Sequence, residues 1–354
     1  PMAAQGRESF YSCFAQVFDV CVFGAGYSGF AAALHLAGAG KRTLLVDLWG
    51  DALWESGRAF RTATGPWTPA FRWFAERVSN STGIADEWLD GAIAELAANA
   101  LLRSDSLQAL YYAAPVAVEL DGGLLCGVTV ATKGGARRVM ARQWVDATET
   151  GSLVRLLAPD AKVKTPDRLA LAIHFQQAKW STSSALPVAL PELPGACAMW
   201  TPSKWSNERI VEVALPGTTP NWISALVPTL KAVRAQLGGE ITDGFVSHSS
   251  FLPYPIYKSG PALPALPDNV AAAAPALAAA AVESLVERHA LGHEAALSLA
   301  NRPAAQGCEN LPRNPIRCPD RFREIEAQIG VAGLGVGGAL AAIAAGRQGA
   351  RTFA

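Results

Sequence analysis

The sequence predicts an α/β fold in which a domain with a parallel sheet carries a smaller, β-rich domain. Residues 18–23 (FDVCVF) and 43–47 (TLLVD) have the composition of short buried strands, and the apolar segment 30–39 between them is typical of a helix. Such a strand–helix–strand unit of roughly 30 residues places its two strands in parallel, with a right-handed crossover. From about residue 160 to 262 the pattern changes to β-rich segments broken by Pro and Trp, which indicates a second domain.

Further elements are predicted along the first domain and after the second. The expected elements are a helix over 84–100, strands over 111–119, 124–131 and 138–146, and an Ala-rich strand and helix over 270–300.

Composition narrows the classes of function. The chain has 354 residues, and its 30 basic and 30 acidic residues balance, so a nucleic-acid or anionic-membrane partner is not expected. We expect a cytoplasmic protein, because the sequence shows neither a secretory signal nor a convincing membrane span. Six scattered cysteines form no CxxC pair, and the histidines and carboxylates show no metal-ligand spacing, so no metal is predicted.

A glycine motif lies between the first strand and the first helix. Gly24, Gly26 and Gly29 form a GxGxxG pattern, and Asp47 ends the next strand. The first glycine permits a tight turn, the second lets the backbone approach a pyrophosphate, and the third lets helix and strand pack closely. The helix start, including Tyr27 and Ser28, offers N–H groups to phosphates. Asp47 can bind the ribose hydroxyls of a dinucleotide, although the motif alone does not distinguish FAD from NAD.

With this motif, a loop at 50–61 and the sequence VDATETG at 145–151, the chain resembles the FAD-dependent oxidoreductases of the two-dinucleotide-binding-domain flavoproteins, alongside fumarate-reductase-like enzymes. The resemblance extends from residue 18 to about 300. It implies a Rossmann-like FAD-binding domain over 17–155 and 263–305, interrupted by a substrate domain over 156–262.

The resemblance also implies roles for single residues. Val116 would contact the adenine through its backbone, and Asp146, Ala147 and Thr148 would return the chain to the nucleotide. Gly292 would open a helix that points at the flavin. The chain departs from the family where Glu149 replaces a glycine, and neither the late strand at 269–275 nor the Gly292 helix keeps the family's complete pattern.

Two residues are predicted to take part in catalysis. Arg58 lies in the loop expected near the flavin and could hold a carboxylate, and His293 could shuttle a proton. No histidine lies near Gly29, where some flavoproteins attach FAD covalently, so we expect non-covalent FAD.

The C-terminus repeats the glycine motif. The segment 333–338 (GLGVGG) is again GxGxxG, at an offset of 309 from Gly24 (333 − 24 = 309). We therefore expect a linker over 306–327 and, over 328–354, the truncated start of a second dinucleotide-binding fold. The chain would then be a fragment of a tandem protein.

These observations predict an FAD-dependent oxidoreductase that transfers a hydride between a small organic substrate and the flavin. Two alternatives remain at this stage. One is an NAD-dependent dehydrogenase that uses the same glycine motif, and the other is a degenerate flavin-fold subunit without catalysis. The sequence does not indicate an oligomeric state.

Overall fold

The chain divides into two units, residues 1–314 and 315–354. A computed structural model describes residues 14–79, 84–85, 87–102, 106–177, 180, 184–219, 221–238, 241, 244–260, 263–306, 326–331 and 336–353.

The first unit contains a seven-stranded sheet with a parallel centre. Its strands are β1 (Val17–Phe23), β2 (Thr43–Val46), β6 (Leu107–Leu110), β7 (Ala113–Asp121), β8 (Leu124–Thr132), β9 (Gly135–Asp146) and β16 (Val270–Ala272). Five of them run parallel, in the order β6-β2-β1-β9, with β16 beside the last part of β9. An antiparallel hairpin, β7 and β8, extends the sheet from the first part of β9.

Helices pack on both faces of this sheet, so its central strands are buried on both sides. Every residue of β2 is buried, and one face of the sheet packs on the apolar side of the first helix. The helices of this part are α1 (Tyr27–Gly38), α2 (Trp54–Gly57), α3 (Pro69–Ser79), α4 (Gly91–Leu101), α5 (Ser152–Leu157) and α7 (Leu285–Leu299). The parallel pairing of β1 with β2 and β9 brings the carboxyl ends of these three strands to one edge.

The helix predicted over 84–100 begins later than expected. Residues 84–89 instead contribute two short strands, β4 (Ile84–Ala85) and β5 (Trp88–Leu89), to a three-stranded sheet with β3 (Ala63–Thr64). The physical reason is a helix cap: the side chain of Asp90 accepts a hydrogen bond from the N–H of Ile93, which fixes the start of α4.

The role predicted for Gly292 is wrong, because this residue does not open a helix. Helix α7 begins at Leu285, where Ser284 and Glu287 form a capping box. Gly292 lies in the middle of α7, and a Cβ there would overlap the backbone carbonyl of Ser28 on α1. Its missing side chain therefore allows close packing of two helices.

The β-rich segment forms a second, antiparallel sheet in the order β11-β12-β13-β10-β14, with β15 also paired to β10. Its apolar face packs against helix α6 (Leu226–Leu237). The strands are β10 (Arg168–Gln176), β11 (Leu186–Val188), β12 (Cys197–Pro202), β13 (Glu208–Pro216), β14 (Phe245–Ser249) and β15 (Tyr254–Ile256).

The described part of the second unit is a strand, a helix and a strand. Strand β17 (Ile329–Gly330) pairs in parallel with β18 (Thr352–Phe353), and α8 (Val336–Arg347) connects them. The first half of the second glycine motif, residues 333–335, lies outside the described residues, as does most of the expected linker. No helix within the described ranges has the length and apolar character needed to cross a bilayer.

Candidate dinucleotide site

The glycine turn follows β1 directly. Gly24 has a φ of +95°, which an L side chain rarely adopts, and a Cβ there would collide with the backbone of Ala147. A Cβ on Gly29 would overlap the carbonyl of Gly24. These two glycines therefore let the turn and the start of α1 fold tightly beneath the ends of β1 and β9.

Asp47 follows β2 and lies beside the glycine turn. Its carboxylate accepts hydrogen bonds from the backbone N–H of Ala25 and of Trp49, both at 2.6 Å. Burial raises the pKa of Asp47 to about 6, although these two hydrogen bonds act in the opposite direction. The carboxylate is thus held in one orientation at the end of the sheet where the motif predicted it.

A cavity of about 320 Å³ opens between these groups. Its volume is at the lower end of the range for small-molecule sites. It is lined by the glycine turn, the end of β2, the start of β7, the turn after β9 and two further loops. The lining residues include Gly24, Gly26, Asp47, Trp49, Trp54, Ala113 to Pro115, Ala147 to Thr150, Ser152, Leu252, Pro253 and Pro255.

One wall of this cavity is held by Arg58. Its guanidinium lies 4.8 Å from the centre of the Trp49 ring, and its Nε donates to Asp51 at 2.8 Å. The ring of Trp49 lines the cavity and is 37% exposed. The structure therefore places Arg58 behind a cavity wall, paired with a carboxylate.

The amino end of α1 already carries an anion. The N–H of Tyr27, the first residue of α1, donates to both carboxylate oxygens of Glu55, at 3.1 and 3.2 Å. A Cβ on Gly26 would come within 2.6 Å of the same carboxylate. Glu55 is only 1% exposed, and burial raises its pKa to about 7, whereas the charge of Arg288 lowers it.

A buried guanidinium connects this carboxylate to the turn after β9. Arg288 of α7 lies 3.4 Å from Glu55 and binds Glu149 through both terminal nitrogens. Its Nε donates to the hydroxyl of Tyr254, and its Nη2 donates to the carbonyl of Pro255. Two carboxylates therefore share one buried cation. The sequence reasoning missed Arg288, and it noted Glu149 only as a departure from the family pattern.

Several of the other predicted cofactor residues have side chains that are buried or bonded within the protein. The side chain of Tyr27 is buried and its hydroxyl lies 2.8 Å from that of Ser56, while Ser28 packs beneath α7. Asp146 is fully buried, and its carboxylate accepts from the backbone N–H of Thr148 and Val154. Val116 lies at a register shift in β7, next to the cavity residue Pro115.

His293 lies away from this cavity. Its ring is 4.9 Å from that of His35 and 5.9 Å from that of His289, and it lines a different cavity with His35. Burial lowers the pKa of His289 to about 3. The structure therefore does not bring the two predicted catalytic residues, Arg58 and His293, together.

A polar cluster lies on the antiparallel sheet, near the loop that contains Phe60. Nitrogen and oxygen ligand atoms of His174, Glu208 and His248 lie within 4.8 Å of one another, a combination that sequence spacing did not predict. The two ring nitrogens of His174 face Glu208 at 3.1 Å and the carbonyl of Phe60 at 3.5 Å. These two contacts involve both ring nitrogens of His174.

Burial raises the pKa of Glu208, but hydrogen bonds from His174 and Ser203 outweigh it, so that pKa lies below its usual value.

The parallel sheet, the glycine turn and the carboxylate at the second strand define a dinucleotide-binding protein of the Rossmann type. Within this class, residues 19–164 match the model of the FAD dependent oxidoreductase family. This part of the chain is therefore similar to the FAD-dependent oxidoreductases, and FAD is the cofactor of that family. The narrower grouping with fumarate-reductase-like enzymes stays a prediction. No curated protein sequence matches the chain.

Solved structures with a similar fold include three proteins at low sequence identity. A geranylgeranyl bacteriochlorophyll reductase-like protein from Thermoplasma acidophilum is 14% identical, with a TM-score of 0.56 over 80% of this chain and 77% of that one. A flavin-dependent brominase is 12% identical, with a TM-score of 0.56 over 81% of each chain. A myxobacterial chondrochloren halogenase is 13% identical, with a TM-score of 0.54 over 83% of this chain and 78% of that one.

These residues fit one half of FAD better than the other. The buried carboxylate of Asp47, the open glycine turn and the adjoining cavity suit an adenosine group. At the phosphate end, the first N–H of α1 is already bonded to Glu55. The cavity beside Asp47 thus suits an adenosine group, whereas the anion position at the start of α1 is already bonded within the protein.

Proposed function

We propose that the chain binds FAD non-covalently and acts as an FAD-dependent oxidoreductase that transfers a hydride between a small organic substrate and the flavin. One observation carries this proposal: Asp47, the glycine turn and Thr148 line a single cavity at the carboxyl ends of parallel strands. A bound flavin supplies the redox chemistry, and the protein supplies orientation, electrostatics and exclusion of water.

The residues of the cavity would have separate roles in holding FAD. The Asp47 carboxylate, fixed by two backbone N–H groups, would accept the ribose hydroxyls. Gly24 keeps the turn free of side chains, and Trp49 offers an aromatic wall whose position Arg58 fixes. Arg58 is therefore proposed as a residue that positions the adenosine side. The Val116 backbone would lie beside the adenine.

The substrate would lie between the loop at 58–61 and the antiparallel sheet. Phe60, His174 and His248 form an aromatic group there, with ring centres 4.9 to 5.9 Å apart. The imidazole of His248 is a side chain that can donate or accept a proton. A small organic substrate with an apolar ring and a polar group matches this surface. His293 would serve as a proton shuttle only for a substrate in its own cavity.

Titration with FAD tests the proposal. Isothermal titration calorimetry should show FAD binding to the unloaded chain and binding at least tenfold weaker to Asp47→Ala, because a charge-assisted hydrogen bond contributes about 1.5–3 kcal/mol. Asp19→Ala is a matched control, since Asp19 caps the exposed N–H of Arg42 away from the cavity. Folded protein that takes up no FAD would contradict the proposal, and tighter binding of NADH than of FAD would favour the dehydrogenase alternative.

A second step tests the reaction itself. Anaerobic mixing of the FAD-loaded protein with a panel of small alcohols, amines and acids should bleach the flavin absorbance for at least one class if hydride moves from substrate to flavin. Reoxidation of chemically reduced protein by electron-poor substrates tests the opposite direction.

One observation favours a second candidate, a flavin-fold subunit without catalysis. Glu55 fills the anion position at the start of α1, and Arg288 and Glu149 support it from two other elements. This candidate predicts that FAD does not bind at any pH between 6 and 8.5, even though the protein is folded.

A further inference from the structure

Glu55 lies where a dinucleotide fold presents its helix N-terminus to a phosphate. The start of a helix carries unsatisfied N–H groups and a partial positive charge, which favour an anion. Here that anion comes from the chain, because both oxygens of Glu55 accept from the N–H of Tyr27. No residue in the first turn of α1 is acidic, so the charge arrives from a separate segment.

Gly26 leaves room for the Glu55 carboxylate at the start of α1. Its φ of −67° and ψ of −176° are an extended conformation that does not require glycine. A Cβ would come within 2.6 Å and 2.9 Å of the two Glu55 oxygens, so the missing side chain is what lets this carboxylate lie so close. The close backbone approach that the motif normally provides for a pyrophosphate is thus taken by a carboxylate.

We propose that Glu55 is an internal competitor for the cofactor's pyrophosphate and sets the affinity of this site for FAD. The proposal rests on the proposed function. Binding of the diphosphate then requires Glu55 either to leave the helix start or to lose its charge by taking up a proton. Two anions at one N–H group, both buried, would repel each other strongly.

The surroundings of Glu55 make uptake of a proton accessible near neutral pH. Burial raises its pKa, Arg288 lowers it and Glu149 raises it, and together these effects give a pKa of about 7. Among the described residues, the other charged or titratable groups that interact with this network are Arg61, Asp90, Tyr27, Tyr254 and Tyr257. Burial raises the pKa of each of these three tyrosines, so they stay neutral across the range in which Glu55 titrates.

The sign of the pH dependence follows from the protonation state of Glu55. If FAD binds the protonated form, the competent fraction falls as the pH rises through about 7. The dissociation constant should then be about tenfold larger at pH 8 than at pH 6. Binding at pH 8 should take up close to one proton, which calorimetry in two buffers of different ionisation enthalpy measures.

The experiment compares the wild type with Glu55→Gln, which keeps the shape of the side chain and removes its charge. We expect Glu55→Gln to bind FAD about tenfold more tightly at pH 8, with little change between pH 6 and 8 and no proton uptake. Glu119→Gln is the matched control, because Glu119 also pairs with an arginine, Arg138, whereas it is Glu55 that accepts from the N–H of Tyr27 at the start of α1. It should keep the affinity and the pH slope of the wild type.

Two results would overturn the inference, and they can be told apart. Equal FAD affinity, pH slope and proton uptake in the wild type and in Glu55→Gln would remove Glu55 as a competitor while leaving FAD binding intact. Absence of FAD binding in both proteins at every pH, with native circular dichroism, would remove the proposed function together with the inference. If Glu55→Gln fails to fold, the proton uptake of the wild type decides the matter.

Discussion

Gly292 of α7 packs directly on the backbone carbonyl of Ser28 in α1, and a methyl group at this position would overlap that oxygen. The two helices can therefore approach one another closely only through a residue without a side chain. Because α1 begins at the glycine turn, this contact also fixes the helix that borders the proposed cofactor cavity.

Gly292→Ala should destabilise the first unit and should do so by overpacking. We expect a loss of about 1–3 kcal/mol in the free energy of unfolding, measured by urea titration. Gly38→Ala is the matched control, since nothing lies within 4 Å of a Cβ there and Ala is the better helix former. An unchanged midpoint for Gly292→Ala would contradict the close helix contact.

Replacement of Arg288 should be among the most damaging substitutions in the chain. Arg288→Met leaves Glu55 and Glu149 close together without their shared cation, and breaking a buried ion pair costs about 3–5 kcal/mol. The loss should be smaller at pH 5 than at pH 8, because Glu55, with a pKa raised to about 7, is protonated at the lower pH. Urea unfolding at both values measures the difference, and equal losses at the two pH values would argue against this charge balance.

His289 should weaken the fold in acid. Burial lowers its pKa from 6.5 to about 3. Between these two pH values the imidazole is protonated in the unfolded chain but neutral in the folded chain. Stability from this group is complete above pH 6.5 and is lost as the pH falls towards 3. His289→Leu should remove about 2 kcal/mol of the difference in unfolding free energy between pH 7.5 and pH 5. An identical pH slope in both proteins would contradict the buried, neutral imidazole.

Asp146 should prove structural, although the sequence predicted it as a cofactor residue. Its buried carboxylate accepts from the N–H of Val154 at the start of α5 and from the N–H of Thr148 in the turn before it. Asp146→Ala should reduce the free energy of unfolding by about 1–2 kcal/mol, as loss of a helix cap does. The FAD affinity of the protein that remains folded should change less than it does in Asp47→Ala. A larger loss of FAD affinity than of stability would restore the predicted binding role.

Local patterns made part of this site predictable. The strand–helix–strand unit, the glycine turn and Asp47 lie within about 30 residues of one another, so spacing alone places them together. A capping box at Ser284 and Glu287 is also legible in the sequence and would have placed the start of α7 correctly. The family pattern instead predicts a helix start at Gly292, and that prediction is wrong.

Long-range contacts were out of reach. Arg288 meets Glu149 across 139 positions and Glu55 across 233 positions, and no local periodicity encodes either approach. The cluster of His174, Glu208 and His248 likewise depends on the pairing of three strands that only the folded sheet brings side by side. A single sequence shows these residue types without showing that they meet.

The last part of strand β9 lies between two parallel strands of the same sheet. It pairs with β1 on one side and with β16 on the other, where Asp146 lies opposite Ala272. Residues 147–269, which include the antiparallel sheet, therefore leave the parallel sheet at the end of β9 and return to it at β16, the strand paired with β9. The length of this segment can change without shifting the register of the parallel strands, because both of its ends are clamped by the same strand. Residues 147–269 can thus diverge in length and sequence while the edge that carries the glycine turn is preserved.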